Sequence, residues 1–334
     1  MRQRRVRLSA AVLAGLTVAA VAHAQAQAQA PPPTSLRVDV LAIDRDGRPV
    51  YGLGADDFEL REKGRVQKIV DARFVAPTDA PRTTVFVVDD IGMSFQSAAF
   101  VREALTKYAD EQMRADDQVT VIRTYSTYSG IDTEHKLSTD KKALREEVAK
   151  VHYNALERGP RRSSYDVRYD VSMRASLECL RAVVRDVGKV SGRKSVVFFS
   201  DGLHGVMDPF VDPAVRVPLE EITAEANRAS VVIYTVDARG LPSAFSAGWY
   251  TPRRQAEHAA LHMLAKETGG LFLWNTDVAS ALGRVMLGEG GYYVLSCEPS
   301  ASPARAPVEI EVKVKRTGIK ARTRTEVYPA PSAS

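Results

Sequence analysis

The sequence predicts an α/β fold: a doubly wound, mostly parallel sheet joined to a small β-sandwich-like module built from both terminal segments. Three observations carry this. Thr83-Thr84-Val85-Phe86-Val87-Val88 and Lys194-Ser195-Val196-Val197-Phe198-Phe199 are rich in β-branched and aromatic residues and stop abruptly at acids, as strands buried on both faces do. From residue 82 to 298, strand and helix patterns alternate, the grammar of a parallel sheet covered by helices. In residues 36–76 and 303–330 the patterns are all β, and the clearest runs alternate apolar and polar residues at period two.

The chain opens with Met1-Arg2-Gln3-Arg4-Arg5-Val6-Arg7, an apolar run from Leu8 to Val21 and the small-residue stretch Ala22-His23-Ala24. A basic head, a short apolar middle and an A-x-A end are the parts of a secretory signal peptide over residues 1–24. The chain is therefore expected to be exported to the periplasm or beyond, without a transmembrane segment. Four of the 46 basic residues are Arg2, Arg4, Arg5 and Arg7; the remainder nearly balance the 41 acids. The formal charge of +5 is thus mostly the leader, and no nucleic-acid footprint is expected. Two cysteines, Cys179 and Cys297, either pair or stand as buried free thiols.

Residues 25–35 form an Ala/Gln- and Pro-rich linker. Leu36–Ile43 alternates as a half-buried strand, Asp44–Arg48 is a turn of the Asp-Gly kind, and Phe58–Glu62 and Ile69–Val75 supply further strands around Lys63-Gly64. Ala76–Pro81 is a boundary. After the strand at Thr83–Val88, helices are expected at about Ser97–Met113, Thr139–Val151 with a Thr cap, a stripe through Met173, Leu177, Leu180, Val184 and Val187, Leu219–Ala229, Gln255–Thr268 and Asp277–Met286. The strands between them are Val119–Ile122, Lys194–Ser200, Val231–Asp237 and Leu271–Trp274, with Tyr292–Leu295 as the last strand of this domain. Val308–Lys315 and Lys320–Tyr328 return to β grammar, and both ends of the chain are expected to assemble into one module.

The rim of the parallel sheet is where ligands bind in such folds. Two neighbouring strand ends there would bring Asp90 and Asp201 together with the hydroxyls of Ser94 and Ser200, hard oxygen donors suited to Mg²⁺ or Ca²⁺.

Asp90-Ile91-Gly92-Met93-Ser94 resembles the metal-ion-dependent adhesion site (MIDAS) of von Willebrand factor A domains. Its first motif is Asp-x-Ser-x-Ser and its last an Asp-Gly after a central strand, here Asp201-Gly202. The chain as a whole is similar to the secreted VWFA-related family of acidobacteria. That similarity runs through Val50–Phe58 (V-x-G-L-x-x-x-D-F), Gly192-Arg193-Lys194, Val232–Leu241, Leu264–Gly270 and Tyr292–Leu295. The resemblance implies a von Willebrand A-like binding or adhesion protein, not an enzyme, that engages a protein partner through a divalent metal. Mg²⁺, or Ca²⁺ or Mn²⁺, would be held by Asp90, Ser94 and Asp201 with Ser163 or Ser164, and Asp89 in support. The chain departs from the family pattern where Gly92 replaces the middle serine and where Ser163-Ser164 lacks a Gly-Gly-Thr. Those departures favour an alternative, a metal-free structural or scaffolding module of an envelope assembly. A third reading is a hydrolase built on the rim acids.

Other chemistry fits less well. Val88-Asp89-Asp90 resembles the acid pair of receiver domains, yet the strand ending in Arg123-Thr124 offers no phosphoacceptor aspartate. No G-x-x-x-x-G-K-[ST] or G-x-S-x-G occurs, and Gly52-Leu53-Gly54 lacks the third glycine of a dinucleotide loop. His258 and His262 are four apart on a helix, but Ala259 stands where a metalloprotease needs Glu, so a plain helix face is expected. Asp237 is expected to cap its loop beside Arg239-Gly240. Phe245, Trp249 and Tyr250 are partner-contact or loop-anchor candidates.

Overall fold

The structure, a computed structural model, describes residues 36–76, 81–125, 136–153, 167–203, 213–241, 252–297 and 306–328. The leader, the linker, Ser163, Ser164, Phe245, Trp249 and Tyr250 lie outside these residues.

The first four strands are β1 (Leu36–Ile43), β2 (Phe58–Glu62), β3 (Arg65–Gln67) and β4 (Ile69–Val75). The Asp44 turn forms because one carboxylate oxygen accepts the amides of Asp46 and Arg48, at 2.9 and 2.8 Å. Lys63 and Gly64 both have positive φ, 47° and 79°, which closes a two-residue hairpin with the short strand β3. Sequence patterning missed β3, a three-residue strand whose Arg65 and Val66 are exposed. Val50–Gly54 is irregular rather than extended pairing, followed by one tight turn at Ala55–Asp57.

The central sheet comprises β5 (Thr83–Val88), β6 (Gln118–Arg123), β7 (Lys194–Ser200), β8 (Val231–Asp237) and β9 (Phe272–Leu273), all parallel, in the order β6-β5-β7-β8-β9. Helices α1 (Phe95–Lys107), α2 (Lys141–Ala149), α3 (Val167–Val187), α4 (Pro213–Ala229), α5 (Pro252–Glu267) and α6 (Val278–Gly288) cover it. Every residue of β5 and β7 is buried. Alternate side chains feed two apolar cores: Val85, Val87, Val196 and Phe198 face α3, α4 and α5, while Phe86, Val88, Val197 and Phe199 face α1, α2 and α6. Burying each such side chain contributes roughly 2 kcal/mol, which is why an unbroken apolar run becomes a central strand.

Helix boundaries differ from expectation where local chemistry was misjudged. Asp140, not Thr139, caps α2, its carboxylate accepting the Lys142 amide at 2.8 Å. The first helix ends at Lys107 and widens into a π turn at Tyr108–Gln112, where the Met113 amide reaches back to the Tyr108 carbonyl. Helix α4 starts at Pro213, so Pro218 lies inside it. At the end of α5, Gly269 takes φ +80° and Gly270 lies directly against the Ile233 carbonyl of β8.

Four more strands complete the chain: β10 (Tyr292–Cys297), β11 (Val308–Val314), β12 (Lys320–Arg322) and β13 (Glu326–Val327). Expected as the last strand of the α/β domain, β10 instead pairs antiparallel with β1 and β4 of the terminal module. Two four-stranded antiparallel sheets result, β12-β1-β10-β4 and β13-β11-β2-β3. They share one apolar cluster that includes Val38, Val40, Phe58, Leu60, Tyr293, Leu295, Ile310 and Val327. Both ends of the chain therefore build one module. The expected strand over Lys320–Tyr328 breaks in two, because it crosses from one sheet to the other. Cys179 and Cys297 are buried free thiols. Among the described residues, no helix is long and apolar enough to cross a membrane.

Candidate functional site

From β5 the chain first steps to β6 on one side and later returns to β7 on the other, so the sheet's switch point lies between β5 and β7. Their carboxyl ends carry Asp89-Asp90 and Ser200-Asp201, the two acidic ends the sequence placed side by side. Asp89 is the hub. Its Oδ1 accepts hydrogen bonds from Ser176 Oγ at 2.7 Å, Gly92 N at 3.2 Å and Thr124 Oγ1 at 3.3 Å; its Oδ2 accepts from Ser200 Oγ at 2.7 Å. Ser200 Oγ in turn accepts the Gly202 amide at 3.0 Å, so Asp89 holds both rim turns at once. A Cβ at Gly92 would overlap Asp89 Oδ2; this glycine makes room for a carboxylate of the chain itself.

Asp90 turns toward β6. Its Oδ1 accepts the Tyr125 amide at 2.9 Å and shares the single Thr124 hydroxyl proton with Asp89, at 3.4 Å. Its Oδ2 is buried without a hydrogen bond and lies 3.6 Å from the Arg123 guanidinium. Burial pushes the Asp90 carboxyl above the usual range, against the opposing pull of the Tyr125 amide and Arg123. Asp201 meets Ser94 through the backbone, Oδ2 accepting the Ser94 amide at 2.8 Å. The Ser94 hydroxyl is turned into α1, capping the Ser97 amide at 3.1 Å and bonding Ser97 Oγ at 2.7 Å.

A second cluster, which the sequence reading did not find, adjoins these acids at the end of β8. Arg239 grips Asp237 through two nitrogens, at 2.7 and 2.9 Å, and reaches Glu257 at 3.0 Å. His258 Nε2 meets Asp237 Oδ2 at 2.8 Å and its ring packs against Phe272 and Trp274. His258 is 6% exposed, so it is no plain helix face; Asp237 caps its loop as expected, Oδ1 accepting the Arg239 amide at 3.1 Å, and also anchors an ion-pair network. Gly202, at φ +107°, lies so close to Glu257 that a Cβ would stand 2.7 Å from the Glu257 Cβ, which joins the two clusters. The available signals were the acid at a strand end, the basic residue two positions on and a Glu-His pair on the following helix.

Burial alone would raise the Asp237 carboxyl, but the hydrogen bonds from His258 and Arg239 outweigh it and pull it down from 3.8 to about 2. A folded value below the unfolded one means that the stabilisation is complete above pH 3.8 and is lost as pH falls through about 2. Asp237→Asn is therefore expected to be less stable than the parent by roughly 2 kcal/mol at pH 6, the gap closing on acidification. Urea unfolding of both proteins across that range measures this.

A divalent ion at the rim would need oxygens with free lone pairs. Asp89 already accepts four donors, Ser94 Oγ caps a helix, and Asp90 faces a guanidinium. The structure makes Asp89 the first acid of the rim; Asp-x-Ser-x-Ser counted from it places Ile91 and fully buried Met93 where serines belong. Among the described residues, no group of three His, Cys, Asp or Glu is arranged to hold a metal. As they stand, the described donors do not fit Mg²⁺, Ca²⁺ or Mn²⁺.

The strand order and the rim at its switch point define a doubly wound α/β domain of the von Willebrand A or Rossmann-like kind, with added antiparallel sheets. No protein-family model matches the chain, and no curated protein matches it. Among solved structures, the N-terminal domain of TFIIH p34 matches at 14% identity and a TM-score of 0.37, over 64% of this chain and 99% of that one. The manganese-loaded TRAP protein of Plasmodium vivax matches at 13% identity and a TM-score of 0.38, over 77% and 97%. The pilus adhesin SpaC of Lactobacillus rhamnosus GG, in an open conformation, matches at 9% identity and a TM-score of 0.39, over 87% of this chain and 42% of the adhesin.

Proposed function

We propose that this chain is an exported, non-catalytic von Willebrand A-like module that binds a protein partner at the rim of its parallel sheet without a metal ion. One juxtaposition supports the reading. Asp89 is satisfied by donors of the chain itself and Asp90 is held by the Tyr125 amide beside the Arg123 guanidinium, while large aromatic side chains beside them are left in water. Phe95, one residue beyond Ser94, is 72% exposed, and Tyr125, whose amide holds Asp90, is 50% exposed. Phe95 also packs edge-on to Tyr153, with ring centroids 6.2 Å apart. Exposed aromatic anchors next to a rigid polar floor are what a partner surface buries most productively.

A metal-dependent reading keeps one observation, the buried Asp90 Oδ2 without a hydrogen bond. Two measurements separate the readings. Millimolar Mg²⁺ or Mn²⁺ against a chelator is expected to leave the melting temperature unchanged within about 1 °C, where a bound ion would raise it by mass action. In capture from an envelope extract, Phe95→Ala combined with Tyr125→Ala is expected to lose the proteins that the parent retains, and the chelator is expected to change nothing. Loss of capture on chelation, with capture intact in the double variant, overturns the proposal.

A further inference from the structure

On the side of the molecule where α5 and β9 meet β11 and β12, a groove of about 380 Å³ runs between the two layers. Leu271 and Phe272 contribute apolar lining, Arg322 and Thr323 polar lining, and Lys266 is exposed along α5. Volumes of this order suit small ligands.

Charge in the layer beneath the groove does not balance. Arg193, Lys194, Arg322 and Arg324 share two carboxylates, Glu289 and Asp39. Arg193 takes Glu289 at 2.8 Å. Arg324 takes Asp39 at 3.0 Å and adds the Asn227 carbonyl and the Ser230 hydroxyl, both at 2.9 Å. Among the described residues, no carboxylate comes within ion-pair distance of Arg322. Its Nη2 donates to the Gly269 carbonyl at 3.3 Å, its guanidinium carbon lies 5.9 Å from the Tyr234 ring centroid, and its buried Nε makes no hydrogen bond. Burial, first, and the nearby Arg193 charge work against the protonated form and outweigh the Tyr234 hydroxyl and the Glu289 carboxylate, which favour it. Glu311, also on the groove wall, is bound to Lys313 at 3.0 Å with both side chains mostly in water, so it does not neutralise Arg322.

We propose that this groove binds a small organic carboxylate, its anionic end on Arg322 and Lys266 and its apolar body against Leu271 and Phe272. A guanidinium is a planar fork that pairs with a carboxylate through two parallel hydrogen bonds, and a partly desolvated one gains most from such a partner. The apolar lining adds affinity for an organic body that an inorganic anion lacks. The groove is separate from the rim, so this site stands or falls independently of the partner-binding reading.

The test uses the full chain, thermal unfolding and three sodium salts at matched ionic strength: benzoate, acetate and phosphate. Benzoate is expected to raise the melting temperature by a few degrees, acetate less and phosphate least. Lys266→Gln, a surface change, is expected to weaken the benzoate effect several-fold, and Arg322→Gln to abolish it. Amide exchange is expected to slow on benzoate addition in residues 269–272 and 321–325. A benzoate shift that persists undiminished in Lys266→Gln, a stronger response to phosphate than to benzoate, no response to any salt, or protection elsewhere overturns the assignment. Should Arg322→Gln fail to fold, the lysine variant and the exchange footprint decide alone.

Discussion

Asp89→Ala is expected to destabilise the chain by about 3–5 kcal/mol in urea unfolding, among the largest effects of any single side-chain truncation. Its carboxylate accepts from Ser176, Ser200 and Thr124 in a buried setting and from the part-buried Gly92 amide. Removing it strands the Ser176 and Ser200 hydroxyls, each costing roughly 1–3 kcal/mol when unsatisfied and offset in part because a desolvated charge is removed with it, while Thr124 keeps Asp90 Oδ1 and the Gly92 amide keeps the Asp89 carbonyl at 3.0 Å. Ser200 would also lose the bond that orients it toward Gly202, so the Asp201 turn loosens together with the first. Asp90→Asn should behave differently. The amide oxygen can still accept from Tyr125, and the substitution removes a buried negative charge that its surroundings disfavour. Its stability at pH 7 is expected within about 1 kcal/mol of the parent. Equal losses for the two variants would mean that Asp89 is not the structural centre of the rim.

Gly270→Ala is expected to be nearly as damaging, by a different route. An added Cβ would overlap the Ile233 carbonyl oxygen and sit 2.7 Å from its carbonyl carbon, and neither atom can rotate away as a side chain would. The substitution forces α5 and β8 apart where Thr268 Oγ1 accepts the Ile233 amide at 3.0 Å. A loss of roughly 4 kcal/mol, or a melting temperature lower by roughly 8–15 °C, is expected. Gly54→Ala is the control, since nothing lies within 4 Å of a Cβ there and its φ of −104° suits any residue. A melting temperature for Gly270→Ala within a degree or two of that control would refute the close approach.

The fold was legible wherever burial alone decides structure. Thr83–Val88 and Lys194–Ser200 could only be central strands, because an apolar run without alternation needs cover on both faces. Leu36–Ile43 and Val308–Val314 announced themselves by period two. What escaped were features set by distant partners. Tyr292–Cys297 follows a helix in the same way as the parallel strands do, and only the presence of β1 and β4 draws it into the other sheet. At the site, spacing brought the two acidic strand ends together but could not tell which acid turns inward. That choice falls to Asp89 because Ser176 arrives from α3 to meet it, a contact across 87 positions. The Asp237–Arg239–Glu257–His258 network was hidden for the same reason, since its members come from two elements whose meeting is a tertiary event.

The pairing of β1 with β10 governs how the polypeptide reaches this state. Leu36 and Cys297 are 261 positions apart yet touch. A nascent chain would emerge with β1 and β4 long before their shared partner β10 exists, and closing so wide a loop by diffusion is slow. The intervening sheet, whose strands are complete by Leu273, can condense first and bring the two tails within reach of each other. β1 and β4 thus spend most of synthesis without the strand that joins them, and separating the segment after β10 would take the edge strand β12 from one sheet and β11 with β13 from the other.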